Sequence, residues 1–441
     1  MTQFNPEQYK AELAPLRSYQ LDGVKWLLKN NKGILADDMG LGKTIQVLKS
    51  IQILFIQNEI KKVLVVCPVS LIKNWEDEII KWCPELKFSR VSSNSSNIDT
   101  LKAIDSSNIL ITNYENIRSD PSLFEKFNFD LIVADEVHKI RKNQSKLSKS
   151  FEKIISKRFW ALTGTPIENN IEDLINLSQY IIPGVLSKSD KKRSQLIIKE
   201  VIKPYVLRRI KQHVLDELPE VKEFDVPVVL SESQKKRYEN IISKRQKNSI
   251  KSGSYLKVLS DLREICDGGI EYEHNSKVIK AFEILSETIA NNEKVIIFSY
   301  YLDPLKALER MLHDNKYEFV TIYGEDDIPS RESNIKKFKS PDIDILLASS
   351  KVASEGLNLT EANNVIFLNR WWNPSSNNQA RDRVNRLGQE KIVKIYNIFC
   401  SDTIEERVGE ILKEKTELYD KIVNGLIDNI TDLPINLLED E

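Results

Sequence analysis

Short apolar runs alternate with longer stretches of helical periodicity along most of this chain. Residues 33–36, 63–66, 108–112, 131–134 and 159–163 are nearly continuous runs of aliphatic and aromatic side chains. They are too short for buried helices, and they read as strands covered on both faces. Between them, 44–57 and 71–82 repeat their apolar positions at helical spacing. The pattern returns at 294–299, 318–322, 343–348, 364–368 and 391–399. Strands alternating with helices predict a parallel sheet with helices on both sides, here twice over. The stretch between, about 181–278, reads as helical and basic, with Lys191-Lys192-Arg193 and Lys244-Arg245-Gln246-Lys247 as its most charged pieces. Such runs are ordinarily solvated helix faces. The expected fold is α/β: two doubly wound parallel-sheet lobes, residues 1–225 and 226–441. A helical protrusion is expected in each, the second at about 230–275, with a C-terminal helical brace from about 401.

Length agrees with two domains, because 441 residues exceed what one hydrophobic core usually organises. Net charge is −1, with 41% hydrophobic and 29% charged residues, so bulk electrostatics do not announce a polyanion partner. Any such contact must come from local patches. No apolar run approaches the length of a membrane span, and the opening Met1-Thr2-Gln3-Phe4-Asn5 lacks a signal-peptide pattern. Cys67, Cys83, Cys266 and Cys400 are scattered, as are His138, His213, His274 and His313, which favours buried thiols over a zinc site. The expected location is cytoplasmic and nucleoid-associated in a prokaryote, or nuclear in a eukaryote.

Chemistry first becomes specific at Asp37-Asp38-Met39-Gly40-Leu41-Gly42-Lys43-Thr44, between a predicted strand and a predicted helix. Gly40 and Gly42 let the loop backbone of Met39 and Leu41 wrap phosphate oxygens, and the helix N-terminus favours the same charge. Lys43 suits the β- and γ-phosphates, and the Thr44 hydroxyl suits Mg²⁺. The strict loop pattern asks for glycine where this chain has Asp37. A second requirement is met by Asp135-Glu136, directly after the apolar run 131–134. Asp135 is expected to hold Mg²⁺ and Glu136 to activate the attacking water. Together these predict a nucleotide-hydrolysis site with Mg²⁺.

With those motifs in place, the chain resembles the Swi/Snf-type ATPases of helicase superfamily two, from Leu16 to about Gly425. Leu16-Arg17-Ser18-Tyr19-Gln20 is similar to the family's adenine-reading segment, which implies cofactor contacts at Arg17 and Gln20. Pro68-Val69-Ser70-Leu71-Ile72-Lys73-Asn74-Trp75 and Asn113-Tyr114-Glu115 resemble first-lobe elements on the DNA backbone, implying contacts at Pro68, Ser70, Lys73, Asn113 and Tyr114. Ala161-Leu162-Thr163-Gly164-Thr165-Pro166 resembles the segment that senses the γ-phosphate. Leu207-Arg208-Arg209-Ile210-Lys211 resembles a linking element particular to this branch.

In the second lobe the resemblance implies DNA contacts at Ser299, Arg331, Ser350, Lys351 and Trp371, and a nucleotide contact at Gly356. Ala353 and Ser354 stand where the family commonly carries glycine. Ile265-Cys266-Asp267-Gly268-Gly269 replaces the usual Cys-Asn-His-Pro wording. Gln379-Ala380-Arg381-Asp382-Arg383-Val384-Asn385-Arg386 matches the arginine-finger motif, which, if helical, puts Arg383 and Arg386 on one face. Both are implied in nucleotide binding and in neutralising transition-state charge.

The resemblance implies a DNA-dependent ATPase that tracks along double-stranded DNA without separating strands and displaces or remodels bound proteins. A strand-separating helicase and an ATP-gated clamp or scaffold are the alternatives. No reader module fits outside the lobes, so protein partners are expected to supply targeting, with neither zinc nor a membrane involved. A bare core of this kind points to a prokaryotic or viral source.

Overall fold

The computed structural model describes residues 5–91, 106–140, 146–154, 156–164, 171–186, 195–215, 218–247, 255–268, 275–350, 359–371, 374–386 and 388–410, with Lys102, Asp190 and Lys413. They form two compact units divided at Asp216 and Glu217.

The first unit is built on a seven-stranded sheet. Its strands are β1 (Lys32–Leu35), β2 (Val63–Cys67), β3 (Phe88–Arg90), β4 (Ile109–Asn113), β5 (Phe129–Asp135), β6 (Ser156–Leu162) and β7 (Val206–Leu207). Their order is β3-β4-β2-β5-β6-β1-β7, and every pairing is parallel. Successive side chains along each strand enter opposite cores. Ile34, Leu64, Leu110, Ile132 and Ala161 pack on one face, and Leu35, Val65, Ile111, Val133 and Trp160 on the other. A sheet buried on both faces explains why its strands read as unbroken apolar runs.

The second unit repeats the plan with β8 (Val221–Val228), β9 (Val295–Ser299), β10 (Val320–Ile322), β11 (Ile345–Ser349), β12 (Asn364–Phe367) and β13 (Val393–Cys400). The order is β10-β11-β9-β12-β13-β8, again parallel throughout. Ile296, Phe298, Leu346 and Val365 face one core; Val295, Ile297, Leu347 and Ile366 face the other. Helices Glu232–Lys247 and Tyr255–Asp267 lie in the predicted protrusion.

Every predicted strand is present, but β3, β7 and β8 were not foreseen. The strand β8 has one partner, β13, along its whole length. It carries Lys222, Glu223, Asp225 and Pro227, the charged and proline-bearing composition of an edge strand. That composition hides it within a basic stretch read as helical. Residues 221–225, expected with the first lobe, therefore hydrogen-bond into the second sheet. The basic piece at 191–193 and most of the expected C-terminal brace lie outside the described residues.

Candidate nucleotide site

In a parallel sheet all strand ends of one kind share an edge. The loop after β1 and the Asp135-Glu136 pair after β5 therefore emerge together, with only β6 between their strands. The helix Lys43–Ile56 begins at the end of that loop and turns its unsatisfied N–H groups toward it. Gly42, the residue before the helix, has φ +74° in the left-handed region, and Gly40 has φ +87°. A Cβ on Gly42 would lie 2.5 Å from Gln20 Nε2, so both conformation and space require glycine there. Met39 is buried against Gly164, where an added Cβ would lie 2.7 Å from its Cγ.

Lys43 Nζ donates to the carbonyl oxygens of Asp37 (2.7 Å) and Asp38 (3.3 Å). Burial pushes its ammonium below the ordinary lysine value, while the carboxylates of Glu136, Asp37, Asp135 and Asp38 oppose that shift. An amine held by carbonyls and flanked by carboxylates is suited to meet a polyanion brought with a cation.

Two arginines that the sequence reading left without a role hold the loop. The ladder between β1 and β7 continues past their ends: Ala36 N–H donates to Leu207 O (2.7 Å) and Asp38 N–H to Arg209 O (3.0 Å). This sets Arg208 and Arg209 beside Asp38 and Asp37. Arg209 Nε donates to Asp37 Oδ1 at 2.9 Å, and its Nη2 donates to Asp37 Oδ2 and Gln46 Oε1. Arg208 Nη2 reaches Asp38 Oδ1 at 2.9 Å, and its Nη1 donates to Ala36 O and Gly164 O. Asp37, the departure from the strict loop pattern, is thus the buried anchor of the linking element. Adjacent Asp-Asp and Arg-Arg pairs were the available signal, but nothing local in the sequence said that they meet.

Gln20 lies against the glycine loop. It is buried, its Oε1 accepts from Arg17 N–H at 3.0 Å, and its Nε2 donates to Leu41 O at 3.2 Å. The amide expected to read a base ties the helix Ser18–Lys29 to the glycine loop. Arg17 is exposed and Thr44 half-buried.

Asp135 is buried at the end of β5. Its Oδ1 accepts from Glu136 N–H (3.0 Å) and its Oδ2 from the Trp75 indole Nε1–H (2.9 Å). Burial and the Glu136 charge raise its pKa to about 6, although the Trp75 bond and Lys43 pull the other way. Glu136 has φ +51°, a left-handed conformation uncommon outside glycine and characteristic of strained functional turns. The donor set fits Mg²⁺: a hydroxyl at Thr44 and a carboxylate at Asp135 are hard oxygen ligands. A cation would also relieve the repulsion between the two carboxylates.

The predicted DNA contacts separate by burial. Ser70 and Lys73 are exposed and Pro68 half-buried, at the start of the helix Ile72–Trp82. Asn113 and Tyr114 are buried: Asn113 Oδ1 caps the helix Tyr114–Ser119 by accepting from Asn116 N–H, and the Tyr114 hydroxyl donates to Asp135 O. Ser299 and Ser350 are buried too, with Ser299 Oγ accepting from Asn369. All four lie at or just past the ends of β4, β9 and β11. Arg331 donates to Gly324 O, and Trp371 stacks on Tyr300 at 4.3 Å with Arg263 over its ring. Lys351 and Gly356 lie outside the described residues, as does the run from Thr165 to Ile167.

The helical premise for the arginine pair is not met. The helix Pro374–Arg381 stops before Arg383, and Arg383 and Arg386 lie in the turns that follow. Beyond these turns Gln389 Nε2 donates to the carbonyls of Ala362, Thr360 and Val384. Arg383 is buried, and its carbonyl accepts from Leu359 N–H.

All four cysteines are buried, and none is in a disulfide. Among the described residues, Cys266, Cys400 and Glu405 sit within ligand distance of one another. The Lys277 ammonium lies there as well, paired with Asp267 at 2.9 Å and with Glu405. Burial acts to lower its pKa, yet Asp267 and Glu405 hold it above the ordinary lysine range.

Comparison with known proteins places this arrangement. The SNF2-related domain model matches residues 19–269, and the helicase conserved C-terminal domain model matches residues 270–388. An uncharacterized ATP-dependent helicase of Mycoplasma pneumoniae is 34% identical over 438 residues, which cover 93% of this chain and 42% of the relative. The human SWI/SNF-related matrix-associated actin-dependent regulator of chromatin subfamily A member 1 is 31% identical over 454 residues, covering 93% and 44%. The solved Sulfolobus solfataricus SWI2/SNF2 ATPase core in complex with dsDNA shares 30% identity over 95% of each chain, with a TM-score of 0.47. The chain spans less than half the length of these two curated relatives. With the SNF2-related model alone matching more than half of its residues, and the helicase C-terminal model following directly, the chain belongs to the Swi/Snf-type ATPases of helicase superfamily two.

Proposed function

We propose that this chain is a DNA-dependent ATPase that moves along double-stranded DNA without separating the strands, and so displaces or remodels proteins bound there. The observation that carries the reading is the convergence of Lys43, Thr44, Asp135 and Glu136 on one sheet edge, beside a glycine loop that opens a helix. Lys43 would leave its loop carbonyls for the β- and γ-phosphate oxygens. Thr44 and Asp135 would hold Mg²⁺, which supplies charge neutralisation when bound. The Glu136 carboxylate takes the proton of the water whose oxygen attacks the terminal phosphorus as the bond to the bridging oxygen breaks. Arg383 and Arg386 are assigned to the charge that develops in that step. Ser70 and Lys73 are the first-unit groups assigned to DNA phosphates, contacts that carry little sequence information and weaken with salt. Relatives named as ATP-dependent helicases and regulators of chromatin support the class of activity.

The test is steady-state ATP hydrolysis with and without duplex DNA. Wild type should be stimulated by duplex, and Lys43→Ala and Glu136→Gln should each abolish the stimulated rate. Normal turnover in either variant would overturn the site. Arg386→Ala should lower kcat by about 10³-fold or more while leaving ATP affinity nearly intact, as loss of an arginine finger does.

A further inference from the structure

Two segments assigned to the DNA backbone each place one buried hydrogen bond on the same residue, Asp135. Trp75 lies on the helix Ile72–Trp82, fully buried, and its indole N–H donates to Asp135 Oδ2 at 2.9 Å. Tyr114 opens the helix Tyr114–Ser119, and its hydroxyl donates to the main-chain oxygen of Asp135. The remaining carboxylate oxygen accepts from Glu136 N–H. One carboxylate oxygen is therefore held from another element by the Trp75 indole, Tyr114 holds the main chain of the same residue, and each carboxylate oxygen keeps a lone pair for a cation or its water.

The geometry of the Ile72–Trp82 helix separates two tasks. Positions two apart on a helix point to roughly opposite sides. Lys73 faces solvent, with its ammonium 2.8 Å from Asp77, while Trp75 faces the core. A helix moves as a unit, so a phosphate that draws Lys73 outward also moves the indole. Hydrogen bonds lose strength steeply with angle and distance, so a displacement of a few tenths of an ångström at the surface alters the hold on the carboxylate.

We propose that Trp75, seconded by Tyr114, is a positioning residue through which engagement of duplex DNA sets the orientation of the cation-holding Asp135. This rests on the DNA reading given above. Neither side chain touches DNA or nucleotide; both act through Asp135. A purely structural role would instead leave the cation dependence untouched, because the indole would be only a buried donor with a partner.

Trp75→Phe removes the N–H and keeps most of the ring. Two quantities would be measured in wild type and variant: the Mg²⁺ concentration that half-saturates binding of a fluorescent ATP analogue, and the ratio of duplex-stimulated to basal hydrolysis. We expect half-saturating Mg²⁺ to rise several-fold and the stimulation ratio to fall about tenfold or more, the loss of one buried bond to a charged group being worth about that factor. In wild type, duplex DNA should lower the half-saturating Mg²⁺; in Trp75→Phe that response should shrink. Unchanged Mg²⁺ dependence and an unchanged ratio in a folded variant would overturn the proposal. Should Trp75→Phe fail to fold, Tyr114→Phe removes only a hydroxyl from the second contact and should shift both quantities the same way by less; no shift there overturns it equally. A wild-type protein indifferent to duplex DNA would instead defeat the functional reading, and the DNA-to-cation link with it.

Discussion

Asp135 carries two opposed demands at the scale of one side chain. Its burial beside Glu136 raises its pKa to about 6, against an ordinary value near 3.8. Before a cation binds, the folded protein therefore holds a proton that the unfolded chain has already released between those two values. Stability rises with pH only where the unfolded state binds more protons, so this group lowers stability as pH climbs from about 4 through 6. Urea unfolding of cation-free protein across that range should show the fall, and Asp135→Asn should flatten it and gain stability at pH 7. Mg²⁺ with nucleotide should offset the fall, because the cation favours the ionised carboxylate. An unchanged slope in Asp135→Asn would show that other groups dominate the window.

At the scale of elements, the phosphate loop is held from outside by the segment that follows β7. Asp37 is fully buried, and its carboxylate is met by Arg209 and Gln46. Removing the arginine strands a buried charge, which costs about 3–5 kcal/mol. Arg209→Met should destabilise the protein by roughly that amount in urea unfolding, and pairing it with Asp37→Asn should return much of the loss. Arg208→Met should cost less, since Asp38 is partly exposed. Additive losses in the double variant would contradict the direct pairing.

This scale also separates what was legible in the sequence from what was not. That Lys43, Thr44, Asp135 and Glu136 share one sheet edge was legible because each sits at a fixed offset from an apolar strand. The core strands could be read because both of their faces are buried. The edge strand β8 could not, since its exposed positions are charged and look like a solvated helix. Arg209 and Asp37 lie 172 positions apart. Trp75 and Asp135 lie 60 apart. Pairings at such separations are made by sheet order, which no local pattern states. Asn113, Tyr114, Ser299 and Ser350 were read from motif position alone, which does not state that all four are buried.

Across the whole molecule, each unit encloses a charged network. In the first it holds the phosphate loop. In the second it joins Lys277 to Asp267 and Glu405, and through Asp267 to Asn369. Lys277 is fully enclosed, so Lys277→Met should cost about 3–5 kcal/mol by leaving two carboxylates without their cation, again measured by unfolding. The repeated architecture fits the proposed ATP-driven engine, with its nucleotide chemistry assigned to the first unit's sheet edge and duplex DNA as its track. The most direct measurement of that claim is release of a third strand from a DNA triplex ahead of the protein, run beside release of one strand from plain duplex. The account predicts ATP-dependent triplex release that Glu136→Gln abolishes, with the plain duplex left intact. Separation of the plain duplex, or triplex release that proceeds without ATP, would contradict it.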